Sequence, residues 1–365
     1  MIAACILRAL FSIAQSSHAM PKKLTLLWQT TECPLKDWLR EILAPVIREE
    51  VLDGRHSIVL DNCIVVDSNV HLVDPAYYPH FKGKNAFLLR EPDEFFRDVT
   101  STVYSNFCGV IRMHYSSAFL PRRILQIPVG YSNGLGAWGA IKPASQRSYA
   151  WSMLGQINKS SRPDTLEALM PVEPGYWYAS DGWTPGAQTA ATNARQNQST
   201  ADFRQITADS AFCPSPMGNV SQETTRPYSA LEAGAIPILE GRWSMDVHRQ
   251  LLGKHPLPTF SNWRTAASFV QSMWRDARAL DQLQSECITW WAAHKKHVST
   301  EIGAFIDRLW QAEPEPMSAF MRAYTHLPGW PAFELMRHHS ASALRRRIVR
   351  QIRRIMQQGR IYERI

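Results

Sequence analysis

The sequence predicts an α/β protein with two units, each built around a mostly parallel sheet. Short, continuously apolar runs of strand length alternate with stretches of helical spacing, the pattern of parallel sheets covered by helices. The alternation occurs twice, on either side of a Gly-containing segment over residues 131–146. The chain has 365 residues, enough for about two domains of ~150 residues each.

The first unit begins with the apolar run Leu-Thr-Leu-Leu-Trp at residues 24–28, which predicts a strand. A helix is predicted over residues 37–50, because apolar residues recur at helical spacing from Leu39 to Ile47. Further strands are predicted over residues 57–60, 63–66, 85–89, 107–113 and 124–129. This order of elements is typical of a parallel sheet with helical connections.

The second unit repeats the alternation after residue 146. Its predicted strands cover residues 148–154, 176–179, 211–213 and 235–239, and its predicted helices cover 163–169, 201–209 and 225–233. A long polar loop is expected over 182–200, and helices with many Trp over 262–310. The expected organisation is an upstream segment 1–19, a first domain 20–145, a second domain 146–315 and a C-terminal helical segment 316–365.

The N-terminal segment has two interpretations. Residues 2–14 are apolar, but Arg8 interrupts them, and Ser17-His18-Ala19 only loosely resembles a signal-peptide cleavage site. An upstream or poorly ordered segment is favoured over a signal peptide, because Met20-Pro-Lys-Lys followed by the first predicted strand resembles a natural start.

The positive charge is concentrated at the C-terminus. The chain carries a net charge of +8, while residues 341–365 hold eight Arg and one Glu, or +7, which leaves +1 for the rest. A nucleic-acid binder with a basic surface is therefore not expected. Within the tail, Leu344, Ile348, Ile352 and Ile355 form a stripe that predicts a basic amphipathic helix. An anionic membrane surface, packing on the body and a disordered tail remain the alternatives.

No metal or cofactor is expected. The six cysteines (Cys5, Cys33, Cys63, Cys108, Cys213 and Cys287) are scattered without CxxC spacing, so we predict buried, reduced thiols. The chain has no DxD, P-loop or HExxH motif. Gly134, Gly136 and Gly139 match GxGxxG, but Pro143 follows and no helix pattern begins there, so an interdomain loop is favoured over a dinucleotide site.

The most informative stretch covers residues 210–238. A predicted strand ends in a small polar loop containing Pro214, Ser215 and Gly218, which leads into a helix that begins near Arg226. Backbone amides and a guanidinium group together suit a diphosphate. An ordinary strand–loop–helix unit with a solvated Arg is the alternative.

This stretch resembles the donor domain of the exostosin-like glycosyltransferases and the related ribitol xylosyltransferases. Their motifs F-x-[LC]-x-P-x-G, S-x-R-x-x-[ED]-A and G-x-[IV]-P-[VI] are matched around Phe212, Arg226 and Pro237. Four earlier matches follow the family order. They are Asp93-Glu94, Val110-Ile-Arg112-Met-His-Tyr115, Ile127-Pro-Val-Gly130-Tyr131, and Arg147 with Trp151, Gly155 and Arg162. Together the matches span about residues 90–240.

The resemblance implies two Rossmann-like domains facing across a cleft (GT-B type) and an inverting, metal-independent glycosyltransferase. The donor would be a nucleotide sugar, UDP-linked by expectation, and the acceptor a glycan or polyol hydroxyl, as in polysaccharide biosynthesis. By this resemblance Asp93 or Glu94 is the general base. Donor binding is assigned to Arg162, Pro214, Ser215, Gly218, Arg226, Ser229 and Glu232, and acceptor binding to Arg112 and Tyr131.

The sequence departs from the family at Ser229, where an acidic residue is expected to contact the donor ribose. Glu232 lies one helical turn later and is the candidate substitute. Glu232 and Glu240 also form an E-x7-E pair, but the pair is out of register with Gly234 and Pro237, so it is interpreted as coincidence. A catalytically silent nucleotide- or glycan-binding protein of the same fold therefore stays open as an alternative to an enzyme.

A cytoplasmic location is expected from the glycosylation sequons, and peripheral attachment to a membrane is the alternative that the basic tail leaves open. The sequons begin at Asn158, Asn197 and Asn219. Asn219 lies in the proposed diphosphate loop, where an attached glycan would block the donor.

Overall fold

A computed structural model describes residues 23–30, 32–68, 76–91, 101–137, 139–157, 160–179, 200–218, 221–241 and 246–321. In these ranges the chain forms two parallel sheets with helices packed on them. The predicted α/β class with two sheet-containing units is confirmed. The candidate bases Asp93 and Glu94, the upstream segment 1–19, the three sequon asparagines and the tail 341–365 lie outside the described residues.

The first sheet has six strands in the order β2-β1-β3-β4-β5-β6, and each neighbouring pair is parallel. The strands are β1 (Leu24–Trp28), β2 (Ile47–Leu52), β3 (Cys63–Asp67), β4 (Ala86–Arg90), β5 (Gly109–Arg112) and β6 (Ile124–Gln126). Helix α1 covers Lys36–Leu43, and short 3-10 turns cover Tyr78–Phe81 and Ser101–Asn106. Strands β1, β3, β4 and β5 are buried throughout, which explains their continuous apolar sequences.

The second sheet has five strands in the order β11-β10-β9-β7-β8, again with parallel pairs. They are β7 (Tyr149–Gly155), β8 (Gly175–Ala179), β9 (Ser210–Ser215), β10 (Ile236–Glu240) and β11 (Thr259–Phe260). The helices that follow in chain order are α2 (Arg162–Leu169), α3 (Thr200–Ala208), α4 (Arg226–Glu232), α5 (Val247–Leu252), α6 (Trp263–Trp274) and α7 (Ala277–Leu309). Helix α5 and strand β11 were not predicted from the sequence.

Two predictions in the first unit are wrong. The helix expected over 37–50 ends at Leu43, and residues 47–52 form the edge strand β2. Pro45 accounts for the break, because a proline has no backbone amide to continue the helical hydrogen bonds and its ring clashes with the carbonyl four residues earlier, whereas Ala44 still has helical dihedrals. The strand expected over 57–60 is a loop, whose amides at Ser57 and Ile58 donate to the Asp53 carboxylate at 3.1 and 2.6 Å.

Helix α7 joins the two units. It has 33 residues, so it extends over about 50 Å. The Trp291 ring stacks on Trp38 of α1 at 5.6 Å between centroids and lies 5.5 Å from the Tyr228 ring of α4. Near its C-terminus, Phe305 and Leu309 pack over Gly109 of β5. One apolar cluster therefore runs from the first sheet through α7 to the second sheet.

After α7 the chain returns to the first unit. Glu315 accepts hydrogen bonds from Arg122 and Arg123, at 2.8 and 2.5 Å. Phe320 is buried in the apolar cluster on the first sheet, and Met321 forms an isolated antiparallel bridge with Phe119. The domain limits inferred from the sequence stay a prediction.

The five described cysteines are buried free thiols, as predicted for these positions. The segment carrying the GxGxxG match is not followed by an α-helix; a 3-10 turn covers Ala144–Gln146. It contacts both units, since Gly134 donates to Asp37 at 2.8 Å and Arg204 donates to the Gly136 carbonyl at 3.2 Å. Across the described ranges, no helix combines the length and the apolar character that crossing a membrane requires.

Two buried histidines predict acid sensitivity of the fold. His248 on α5 is fully buried and His294 on α7 is 6% exposed, and burial lowers the pKa of each to about 4. In the unfolded chain a histidine titrates near 6.5. Between those values the unfolded state binds more protons than the native state, so stability falls as the pH drops from about 6.5 towards 4.

Glu223 opposes this trend, because burial raises its pKa to about 7 and protonation then stabilises the native state. Burial also lowers the pKa of His114 and His255, so the histidines together outweigh this carboxyl and the free energy of unfolding is expected to be lower at pH 5 than at pH 7. His248→Gln should reduce that difference by roughly 1–2 kcal/mol, measured by urea unfolding at both pH values. His80→Gln, at an exposed position, is the control and should leave the difference unchanged. An equal difference in His248→Gln and the unaltered protein would exclude this origin.

Candidate active site

The second sheet has a topological switch point between β7 and β9. From β7 the chain goes to β8 on one side, and from β9 it goes to β10 and β11 on the other. In open α/β sheets, ligands bind outside the carboxyl ends of the strands at such a point. Here the two strand ends are Gly155 and Ser215.

Two arginines meet at the carboxyl end of β7. Arg162, the first residue of α2, donates from Nη1 to the Gln156 carbonyl at 2.9 Å and from Nε to the Met217 carbonyl at 3.3 Å. Arg226, the first residue of α4, donates from Nη2 to the Leu154 carbonyl at 3.3 Å. Their guanidinium groups thus bind carbonyls two residues apart on one strand end.

Gly155 lies between these carbonyls, with φ of +103°. A Cβ atom built on it would lie 3.8 Å from Nη2 of Arg226. Gly155 adopts a conformation that residues with a side chain rarely adopt, and its backbone, which carries no side chain, faces the Arg226 guanidinium. The structure thus brings the predicted residues Arg162 and Arg226 together at the end of β7, where the backbone of Gly155 lies close to the Arg226 guanidinium.

The other predicted donor residues of this stretch lie in or beside β9, which extends to Ser215 rather than ending at residue 213. Pro214 is paired with Ile238 within the sheet, and the Ser215 hydroxyl donates to the Cys213 carbonyl at 3.2 Å. Gly218 donates its amide to the Ser221 carbonyl at 2.8 Å, which closes the loop. Pro214 and Ser215 therefore belong to strand β9, and the Ser215 hydroxyl is used in a contact within the protein. Gly218 shapes the backbone of the loop that follows the strand.

Glu240 organises the loops of the site, although it was not predicted as a site residue. Its buried carboxylate accepts a hydrogen bond from the Ser161 hydroxyl and one from the Met217 amide at 2.9 Å. Its backbone carbonyl accepts from the Gln222 side chain at 2.8 Å. The loops before α2 and after β9 are therefore attached to the end of β10.

Ser229 and Glu232 face different neighbours. The Ser229 hydroxyl is buried and lines a small pocket with Phe203, Arg204 and Thr207; it has no hydrogen-bond partner within the part of the chain that the structure describes. The Glu232 carboxylate accepts hydrogen bonds from Trp291 at 2.7 Å and Lys295 at 2.8 Å. Glu232 thus links α4 to α7, and the geometry does not support it as the substitute for an acidic residue at 229.

The two predicted acceptor residues are engaged in internal contacts. Arg112 is fully buried; its guanidinium donates to the Met113 carbonyl at 2.9 Å and to the His114 carbonyl, and lies 4.5 Å from the Phe119 ring centroid. Tyr131 is 5% exposed, and its hydroxyl donates to Glu41 at 2.6 Å. Both side chains therefore offer little surface to an acceptor.

A buried carboxylate that the sequence analysis missed lies between the two units. Glu223 accepts hydrogen bonds at Oε1 from the Val129 amide at 2.6 Å and the Tyr228 hydroxyl at 3.2 Å. The Tyr115 amide donates to Oε2 at 3.4 Å, and Nδ1 of His114 lies 4.0 Å from Oε2. Burial raises the pKa of this carboxyl to about 7. In the sequence, the only feature that could have identified Glu223 as a site residue is its place in the same loop, three residues before Arg226.

Glu223 marks the junction between the carboxyl ends of the two sheets. His114 and Tyr115 follow β5, Val129 follows β6, and Glu223 follows β9. The loops that follow the strands of each sheet therefore meet at Glu223, three residues before Arg226 in the sequence. In the described ranges, no group of three or more His, Cys, Asp or Glu residues is arranged to hold a metal ion.

No family model matches the sequence, and no curated protein matches it. Among solved structures, HepE of Anabaena in complex with UDP and glucose is 10% identical, with 78% of this chain and 99% of that chain covered and a TM-score of 0.48. An α1,3-fucosyltransferase is 12% identical, with coverages of 89% and 94% and a TM-score of 0.43.

The glycosyltransferase SnogD from Streptomyces nogalater is 11% identical, with coverages of 78% and 99% and a TM-score of 0.35. Identities this low, with TM-scores under 0.5, do not assign the chain to a family.

Proposed function

We propose that the protein transfers a sugar from a nucleotide-sugar donor to a hydroxyl group of a glycan or polyol. The observation that carries this proposal is the convergence of Arg162 and Arg226 beside Gly155, at the switch point of the second sheet. A nucleoside diphosphate has the charge and the shape that two guanidinium groups next to a bare strand end can bind.

In such a reaction the bond between the anomeric carbon and the diphosphate breaks, and negative charge develops on the leaving nucleotide. Arg162 and Arg226 would stabilise that charge without reorganisation, because their carbonyl contacts already hold them in place. The acceptor would approach from the first unit, whose strand ends meet the second unit at Glu223.

The finer assignments follow from the resemblance to exostosin-like and ribitol xylosyltransferase-like enzymes. They are a UDP-linked donor, hexosyl or pentosyl transfer with inversion, no metal requirement, and a base at Asp93 or Glu94. A role in polysaccharide biosynthesis, a cytoplasmic location and docking of residues 341–365 on an anionic membrane are part of the same proposal.

A catalytically silent nucleotide-binding protein is the second candidate, and Ser229 favours it. A buried hydroxyl stands where the resembled family has a carboxylate, and Glu232 is held by Trp291 and Lys295. Release of UDP from a mixture of UDP-glucose, UDP-xylose and UDP-N-acetylglucosamine, with and without added polyols, separates the two candidates. Binding of UDP without any release would favour the silent protein.

Arg226→Ala tests the donor site. The variant should bind UDP more weakly by about 1.5–3 kcal/mol, measured by isothermal titration calorimetry, because a charge-assisted hydrogen bond to the diphosphate is lost. Arg249→Ala is the matched control, since Arg249 is exposed on α5 of the same unit, and it should bind UDP normally. Equal affinity in Arg226→Ala and the unaltered protein would remove Arg226 from the site. Failure of the unaltered protein to bind UDP, GDP, CMP or ADP would refute the proposed function.

A further inference from the structure

His114 and Glu223 are juxtaposed at the junction of the two units. His114 directly follows the Arg112-Met113 end of β5 and has a φ of +59°, so its side chain is held by an uncommon backbone conformation. Its side chain is 14% exposed, whereas Nδ1 is buried and lies 4.0 Å from Oε2 of Glu223. The exposed part of the ring is therefore not the nitrogen that faces the carboxylate.

Glu223 is held rigidly enough to orient that ring. Both of its oxygens accept hydrogen bonds, from the Val129 amide, the Tyr228 hydroxyl and the Tyr115 amide. The three donors belong to three separate segments of the chain, and the amides of Val129 and Tyr115 come from the first unit. The carboxylate thus keeps a fixed place relative to His114, and Arg226 follows it by three residues.

We infer that His114 accepts the proton of the acceptor hydroxyl and that Glu223 is the positioning residue that orients its imidazole. This inference rests on the proposed function. It replaces the assignment of the base to Asp93 or Glu94 that the resemblance implies. The 4.0 Å separation would shorten to a hydrogen bond once donor and acceptor are bound, as contacts in empty catalytic sites often do.

The step balances in the following way. Nδ1–H of His114 donates to Glu223, so Nε2 carries the lone pair that takes the hydroxyl proton. The hydroxyl oxygen forms the new bond to the anomeric carbon, and the electron pair of the breaking bond leaves with the nucleoside diphosphate. Arg226 and Arg162 stabilise that leaving charge, and the imidazolium is stabilised by the Glu223 carboxylate.

The protonation states assign a different part to each group. Burial and the charge of Arg112 lower the pKa of His114 to about 3, so the ring is neutral at physiological pH but only weakly basic in the empty site, and its action as a base depends on the Glu223 carboxylate stabilising the imidazolium. Burial raises the pKa of Glu223 to about 7, against the opposing effects of its hydrogen-bond donors and Arg112. Tyr228 stays protonated, because burial and Glu223 raise its pKa. As the pH rises through about 7, Glu223 gains its charge and makes His114 more basic, so turnover should rise.

Two substitutions test the pair without disturbing the backbone. His114→Asn keeps a residue that tolerates positive φ, and Glu223→Gln keeps the shape of the side chain. With the mixture of UDP-sugars named above, His114→Asn should lower UDP release by about 10²-fold or more, while calorimetric UDP affinity stays within about twofold. Glu223→Gln should lower turnover by about tenfold and abolish its rise through pH 7, with KM unchanged.

A second measurement does not depend on activity. The ring protons of His114, followed by NMR, should shift in a step near pH 7 as Glu223 ionises, and the step should be absent in Glu223→Gln. Turnover of His114→Asn within about threefold of normal, or no step near pH 7, would overturn the pair. If turnover instead disappears in Asp93→Asn or Glu94→Gln alone, the base belongs there. Loss of nucleotide binding in the unaltered protein would refute the proposed function, and the NMR step would still decide whether the pair exists.

Discussion

Gly130→Ala is expected to destabilise the protein by about 2–5 kcal/mol, measured by urea unfolding at pH 7. Gly130 has a φ of +68°, and a Cβ atom built on it would lie 2.2–2.4 Å from three ring atoms of Trp38. The positive φ costs about 1–2 kcal/mol for an L-residue, and overpacking against a fixed ring adds about 1–3 kcal/mol.

Trp38 cannot move away easily. Its Nε1 donates to the Pro128 carbonyl at 3.2 Å, one face stacks on Trp291, and Tyr131 packs against its edge. Gly139→Ala is the matched control: it has a φ of +59° but no atom within 4 Å of the added Cβ. It should therefore show the backbone cost alone, about 1–2 kcal/mol. Equal destabilisation by the two substitutions would contradict the steric argument.

The buried strands could be predicted from the sequence because both of their faces are covered. Their apolar runs are continuous and lack the regularly spaced polar residues that a half-exposed helix or a loop would contain. Strand β2 could not, since it lies at the edge of the sheet and four of its residues face solvent. Ile47 and Val51 are four residues apart, the spacing of one helix face, but a bulge near the start of β2 places them on opposite faces of the sheet, in the clusters that contain Leu24 and Leu27. The pairing of β2 with β1 decides between these structures, and that contact is not local.

The site was only partly predictable for a related reason. Arg226 was identified from the strand–loop–helix pattern and Arg162 from a resemblance, and the structure places both at the same strand end. Glu223 and Glu240 were missed, because a carboxylate in a polar loop gives no sign of burial until its hydrogen-bond donors are known. Those donors are the amides of Val129 and Tyr115 for Glu223, which are about 100 residues away in sequence.

Glu232 shows how helical spacing alone can mislead. Residues 229 and 232 are one turn apart, which suggested that Glu232 could replace an acidic residue at 229. The two positions differ by about 60° around the helix axis. That angle directs Ser229 to the pocket beside α3 and Glu232 to Trp291 and Lys295 of α7.

The contact of Lys295 with two carboxylates is expected to be a major connection between the units. Its Nζ lies 2.8 Å from Glu41 of α1 and 2.8 Å from Glu232 of α4, whose side chain is 2% exposed. Lys295→Met retains the aliphatic stem but leaves Trp291 as the hydrogen-bond donor to the Glu232 carboxylate within the described part of the chain. The loss should be about 3 kcal/mol in the free energy of unfolding, since an uncompensated charge remains buried.

A double-mutant cycle isolates this effect. If the cost arises from the buried charge, Glu232→Gln should recover most of the stability lost in Lys295→Met, because a neutral amide needs no cation. Lys296→Met is the control for the loss of a lysine from α7, since its side chain is exposed, and it should change the free energy of unfolding by less than about 0.5 kcal/mol. Purely additive effects of the two substitutions would show that Lys295 contributes through packing on Trp291, whose ring centroid lies 5.8 Å from Nζ, and not through Glu232.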